Sequence, residues 1–157
     1  MAGYYRFTFG AATNSDITVS YSTDGGTWAA YSEPAWPPSP QNRGSVLQVS
    51  PNDAVYIQLS GPGGWSLNGQ VQVVVARANS AASGQAYSPF AAGVVWLNPS
   101  GAMNGNLWQA TLGEISTNPG RGQMQKFEIT IAFNATLPNV NGPAYFSEDP
   151  EMDVQGM

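Results

Sequence analysis

Residues 125–134 read Gln-Lys-Phe-Glu-Ile-Thr-Ile-Ala-Phe-Asn, and their reading decides the fold. Phe127, Ile129, Ile131 and Phe133 fall at every second position, with Glu128 and Thr130 between them. Period-2 alternation carried by β-branched and aromatic residues is the pattern of a strand with one buried face. A face this apolar must be covered, so the stretch predicts a sheet packed under a second sheet.

The same rhythm recurs outward from that strand. Tyr5, Phe7 and Phe9 share a face near the start, and Ile17-Thr-Val-Ser-Tyr21 alternates after an Asn-Ser-Asp turn. Val46, Leu47 and Val49 open another strand, and Val55, Ile57 and Leu59 mark the next. Val71, Val73 and Val75 follow, then a short buried run at 93–97. In 106–112, Trp108 and Leu112 are expected on one face, with Leu107 and Ala110 on the other. Glycine-, asparagine- and proline-rich turns separate the runs, and no 3.6-residue rhythm or internal repeat interrupts them. Residues 1–157 therefore read as a single all-β domain, an antiparallel β-sandwich of two packed sheets with about ten short strands. Trp96 and Trp108 are expected in its core.

Composition narrows the function. Ten acids oppose five bases, for a net charge of −5, and the bases are scattered at Arg6, Arg43, Arg77, Arg121 and Lys126. That balance disfavours nucleic acid and anionic membrane surfaces as partners. Without cysteine or histidine, the chain has no disulfides, no thiol catalysis and no zinc site of the Cys/His kind. Glu114 with Glu128 or Asp149 could supply a glycosidase's two carboxylates, but nothing along the chain brings them together. A non-enzyme is expected. Glu148, Asp149, Glu151 and Asp153 are hard donors of the kind calcium prefers, yet they lack a calcium-loop spacing and read as a solvated acidic end. No metal and no cofactor is assigned. The N-terminus lacks the features of a signal peptide, and no run reaches the ~20 apolar residues of a spanning helix. The expectation is a cytoplasmic protein without membrane insertion, whose export, if any, is unconventional.

Binding candidates sit in the turns. Ser22-Thr-Asp24-Gly25-Gly26-Thr-Trp28 is a hairpin signal, because glycine accepts the positive φ such turns demand. It resembles a hairpin of discoidin-type and other carbohydrate-binding sandwiches, and is one residue short of the Asp-box of sialidase-like propellers. Turn chemistry accounts for it first: Asp24 bonds turn amides and Trp28 caps the core edge. Ligand contact is the second reading. Residues 33–44 hold four prolines around Trp36 and should cross the surface in extended form. Trp65 stands in the glycine-rich turn 61–69 with Asn68 near its end, and residues 78–88 read as a small-residue surface loop.

In order along residues 44–154 stand Asn52-Asp53-Ala-Val55-Tyr-Ile57, Pro89-Phe90, Trp108-Gln-Ala110, the strand Phe127–Phe133, and Tyr145-Phe146 ahead of Asp149-Pro150, Met152 and Val154. This series resembles the AidA/PixA family of bacterial inclusion-body proteins. The resemblance implies a β-sandwich that is lectin-like or that accumulates as intracellular inclusions, and it carries over no ligand residue. Sugars present apolar C–H faces and hydroxyl edges, which aromatic rings and Asp, Asn or Gln can meet. Asp24, Trp28, Trp36, Trp65 and Asn68 are accordingly the candidate ligand-binding residues, with glycans as partners. A homo-oligomer is expected, since linked shallow sites gain avidity. The alternative is a self-assembling storage protein without a specific ligand.

Overall fold

The computed structural model describes residues 2–10, 17–34, 44–77, 89–90, 94–97, 103–138 and 140–157. These form thirteen strands and no helix, so none is long and apolar enough to cross a membrane. The first seven are β1 (Ala2–Thr8), β2 (Thr18–Ser22), β3 (Ala29–Ala30), β4 (Leu47–Val49), β5 (Ala54–Ser60), β6 (Ser66–Leu67) and β7 (Val71–Arg77). The rest are β8 (Val94–Leu97), β9 (Met103–Asn104), β10 (Leu107–Glu114), β11 (Met124–Thr136), β12 (Ala144–Glu148) and β13 (Glu151–Gln155). Three of them are two residues long, too short for periodicity to register, which is why about ten were expected.

Sheet 1 has the order β3-β2-β1-β5-β10-β9, and sheet 2 the order β4-β13-β11-β7-β8, with β12 and β6 also pairing β11. The two-sheet all-β architecture is the one the alternation predicts. The sheets are mixed, however, because β1 runs parallel to β5 and β4 parallel to β13. Alternation tells which residues share a face but not which strand lies alongside or in which direction. Between β1 and β5 the chain crosses into sheet 2 to build β4, so it returns beside β1 in the same sense.

The core lies between the sheets. Tyr5, Phe7, Val55, Ile57, Leu59 and Trp108 face Val71, Val73, Phe127, Ile129, Ile131, Met152 and Val154, all of them fully buried. Ala110 shares the inward face with Trp108 and Leu112, opposite to expectation. Trp108 pairs with Leu59 and Ala110 with Ile57, so the two alternate together, and a bulge enters only between Thr111 and Gly113. At one end of the sandwich Phe9 meets Trp65, Phe133 and Phe146 at centroid distances of 4.9, 5.2 and 4.9 Å.

The acidic tail is a second correction. It does not trail into solvent: β13 lies between β4 and β11, with Met152, Asp153 and Val154 buried. Met152 and Val154 supply the apolar face that seats it. Asp153, 5% exposed, is paired with Lys126, whose Nζ lies 3.0 Å from Asp153 Oδ1 and 3.2 Å from Glu151 Oε2. Burial works against the Lys126 charge, but the hydrogen bond and charge of Asp153, with Glu151, outweigh it and raise its pKa. Tyrosines of sheet 1 hold the same strand. The Tyr5 hydroxyl donates to the Glu151 carbonyl and accepts from the Leu47 N–H, while the Tyr31 hydroxyl accepts from the Glu151 N–H at 3.0 Å.

Candidate functional site

Adjacent residues of a strand face opposite sides, so an aromatic pair must send one ring outward. In β12 the pair is Tyr145-Phe146. Phe146 is buried and Tyr145 is 67% exposed, standing on the outer face of sheet 2. The central strand β11 runs beside it. Asn134 pairs with Tyr145, and Ala132 pairs with Ser147 on one side and Gln72 on the other. Ala132 is the small member of its row, and its missing bulk leaves a shallow groove of about 330 Å3. Gln70, Gln72, Asn134, Tyr145 and Ser147 line it along with Ala132, and none of these side chains is charged.

The groove is firmly backed. Phe133 and Phe146 stack beneath it, with centroids 5.2 Å apart. Asn68 ties down its end: Asn68 N–H donates to the Asn134 carbonyl at 2.8 Å, and Thr136 Oγ1 donates to Asn68 Oδ1 at 2.9 Å. Among the described residues no hydrogen bond engages the carboxamides of Gln70 and Gln72. The site therefore offers an exposed ring, a small apolar floor and amide groups able to donate and accept.

The outer face of sheet 1 is also built on an aromatic pair, Tyr4-Tyr5, of which Tyr4 faces out. Its ring stacks on Tyr56 at 4.9 Å and meets Trp28 edge-on at 6.3 Å. Arg6 lies in the next row, with Cζ 3.9 Å from the Trp28 ring centroid and Nε donating to Gln58 Oε1 at 2.8 Å. Gln58 Nε2 in turn donates to Gln109 Oε1 at 2.7 Å.

The candidates named from sequence divide among these places. Asp24 staples its own hairpin, as expected: Oδ1 accepts from the N–H groups of Thr27 and Gly26 and from Ser22 Oγ–H. These bonds, the Thr27 amide first, lower its pKa to about 2. Trp28 does not cap the core edge. Its loop folds over the outer face, where the Arg6 guanidinium supplies a cationic partner for the ring. Trp65 is folded inward at 3% exposure, with its indole N–H donating to the Asn106 carbonyl at 2.7 Å, so its ring is not presented to a ligand. Asn68 borders the groove. Trp36, most of the proline-rich segment, the 78–88 segment and the side chain of Trp96 lie outside the described residues.

The groove's own residues were missed. Ring-pair alternation at Tyr145-Phe146 and the Gln70/Gln72 spacing were the signals that could have found Tyr145 and its neighbours. The three carboxylates considered for catalysis are split: Glu114 is on β10 of sheet 1, while Glu128 and Asp149 belong to the sheet 2 side. Burial, then the charge of Asp149, raises the pKa of Glu128. Among the described residues no group of three or more acidic side chains is placed to hold a metal ion.

No protein-family model matches this chain, and no curated protein matches it either.

Proposed function

We propose that this chain is a non-catalytic, lectin-like protein and that the groove over Ala132 is its carbohydrate site. The observation that carries the reading is the exposed Tyr145 ring beside Gln70, Gln72 and Asn134, on a floor backed by the stacked rings of Phe133 and Phe146. A pyranose offers an apolar C–H face to such a ring and hydroxyl edges to such amides. The small floor lets the sugar approach the sheet, and the absence of charge among the lining residues suits a neutral sugar. The ordered resemblance to the AidA/PixA family supports the same role.

A shallow site of this kind typically reaches only ~mM affinity, about −4 kcal/mol. Retention on a glycan-bearing surface then calls for several linked sites, which raise avidity by roughly 10²–10⁴. A homo-oligomer with outward-facing grooves is part of the proposal.

The test is a glycan array of neutral saccharides, run with the parent protein and Tyr145→Ala. Retention by the parent and its loss in the variant, at unchanged melting temperature, is the expected result. An array empty for the parent, or equal retention by both, would reject the groove as a sugar site.

A further inference from the structure

The strands of sheet 1 carry only two charged residues, Arg6 and Glu114. The strands of sheet 2 carry Arg77, Lys126, Glu128, Glu148, Glu151 and Asp153. With a net charge of −5, an anion is repelled by the chain as a whole, and Arg6 is the one base on the strands of sheet 1 that can attract it. Lys126 is already committed to Asp153 and Glu151. Arg6 makes no ion pair among the described residues. Asp24 spends its carboxylate on hairpin amides, and Glu114 stands opposite Ala54, four positions along β5 from Gln58.

Arg6 is also held in one orientation. Its Cζ lies over the Trp28 ring, its Nε is taken by Gln58, and Gln58 is 5% exposed and held by Gln109. A guanidinium used at Nε keeps two Nη groups in a planar fork, the geometry that receives a carboxylate through two parallel bonds. Because its side chain is already ordered, little rotamer freedom remains to be lost on binding. The neighbouring row supplies an apolar surface. Tyr4 covers one face of Tyr56, and the other face turns toward β10, where the short Thr111 stands opposite it.

We propose that the Arg6–Tyr56–Gln109 face of sheet 1 is a second binding site, independent of the groove over Ala132, for a sugar bearing a carboxylate. Arg6 clamps the carboxylate, Tyr56 meets the C–H face of the ring, and Gln109 takes a hydroxyl.

The test is a titration of the 15N-labelled protein with sodium glucuronate, following Arg6 Nε–H and the Trp28 indole N–H. Glucose and sodium acetate serve as comparison probes at matched ionic strength. Glucuronate should shift both signals saturably in the ~mM range. Glucose, lacking the charge, and acetate, lacking the ring, should each bind about tenfold more weakly or worse. Arg6→Gln should weaken glucuronate about tenfold, and Arg6→Lys, which keeps the charge without the fork, about threefold. Glu114→Gln removes the one carboxylate from these strands and should tighten binding about twofold at low salt. Tyr145→Ala should leave this site unchanged, so failure of the groove reading would not touch it. Absent shifts with glucuronate, equal affinity for glucose or for acetate, or a folded Arg6→Gln that binds like the parent would each overturn the proposal. Should the Arg6 variants not fold, unchanged affinity in Glu114→Gln would overturn it as well.

Discussion

The carboxamides of Asn68 and Asn134 lie within hydrogen-bonding reach of each other, with Nδ2 to Oδ1 at 3.4 Å, beneath a backbone bond between the same two residues. The pair joins the turn after β6 to the central strand β11, in the row that holds Tyr145. Asn68 thereby fixes which way the Asn134 amide faces the groove. It acts as a positioning residue.

Asn68→Ala removes two exposed side-chain bonds and keeps the backbone bond. Each such bond contributes only about 0.5–1.5 kcal/mol, and exposed ones fall at the low end. The fold should survive with a small drop in melting temperature, while retention on a neutral glycan surface falls about threefold or more. Asn134→Ala, which removes the lining amide itself, should fall further. Surface plasmon resonance on both variants decides the order, and equal loss would argue against a positioning role.

The two hairpin glycines should separate. Gly25 has φ of 76°, and a Cβ there would come within 3.2 Å of the Tyr4 ring; Gly26 has neither a left-handed φ nor a close neighbour other than the Asp24 carboxylate. Holding a β-branched residue in the left-handed region costs about 1–2 kcal/mol before any crowding is counted. Gly25→Val should lower the urea midpoint clearly, and Gly26→Val much less. Coincident unfolding curves would show that the turn is not strained in this way.

Ile129 is fully buried at the centre of β11, and its neighbour Thr130 is exposed on the outer face. Ile129→Asp would bury an uncompensated charge and should abolish soluble expression. Thr130→Asp should be tolerated, with a cost of about 0.5 kcal/mol. Similar soluble yields for the two would mean the register of β11 is wrong.

Stability should respond to pH at both extremes. Burial is the main cause that holds Tyr5 well above the usual tyrosine value of 10.0 and pushes Tyr31 up to about 12. A group whose folded pKa is raised contributes stability that is complete below its unfolded pKa and lost as pH climbs through the folded one. Denaturant midpoints should therefore hold up to about pH 10 and fall from there toward pH 12. Tyr31→Phe should flatten part of that fall. Asp24 has the opposite sign: its depressed pKa makes its contribution complete above 3.8 and lost as pH drops through about 2. Asp24→Asn should remove that acid-side dependence, and a midpoint unchanged by the substitution at pH 2–4 would refute it.

Much of the architecture was legible in the chain because burial of one face imposes a spacing that is local. The Phe127–Phe133 alternation, the Tyr5-Phe7-Phe9 run and the three valines of β7 each mark their buried face without reference to any partner. The Asp-Gly hairpin is legible for the same reason, since Asp24 and Gly25 satisfy needs arising within a few residues of each other.

What the tertiary structure decided is everything that depends on neighbours distant in sequence. Asp153 looks like a solvated tail residue until Lys126, 27 residues earlier, is placed 3.0 Å away and Met152 and Val154 are seated in the core. Trp65 looks like an exposed turn tip until Asn106 offers its carbonyl to the indole and Phe9 meets the ring. The groove depends on Ala132 falling between Gln72 and Ser147, and the Arg6 site on β1 lying parallel to β5 so that Arg6 meets Gln58. Periodicity determines the face of each residue, because the backbone's pleat does. The residue across the ladder is determined only when the strands choose partners, register and direction, and both proposed sites of this protein are made of such pairs.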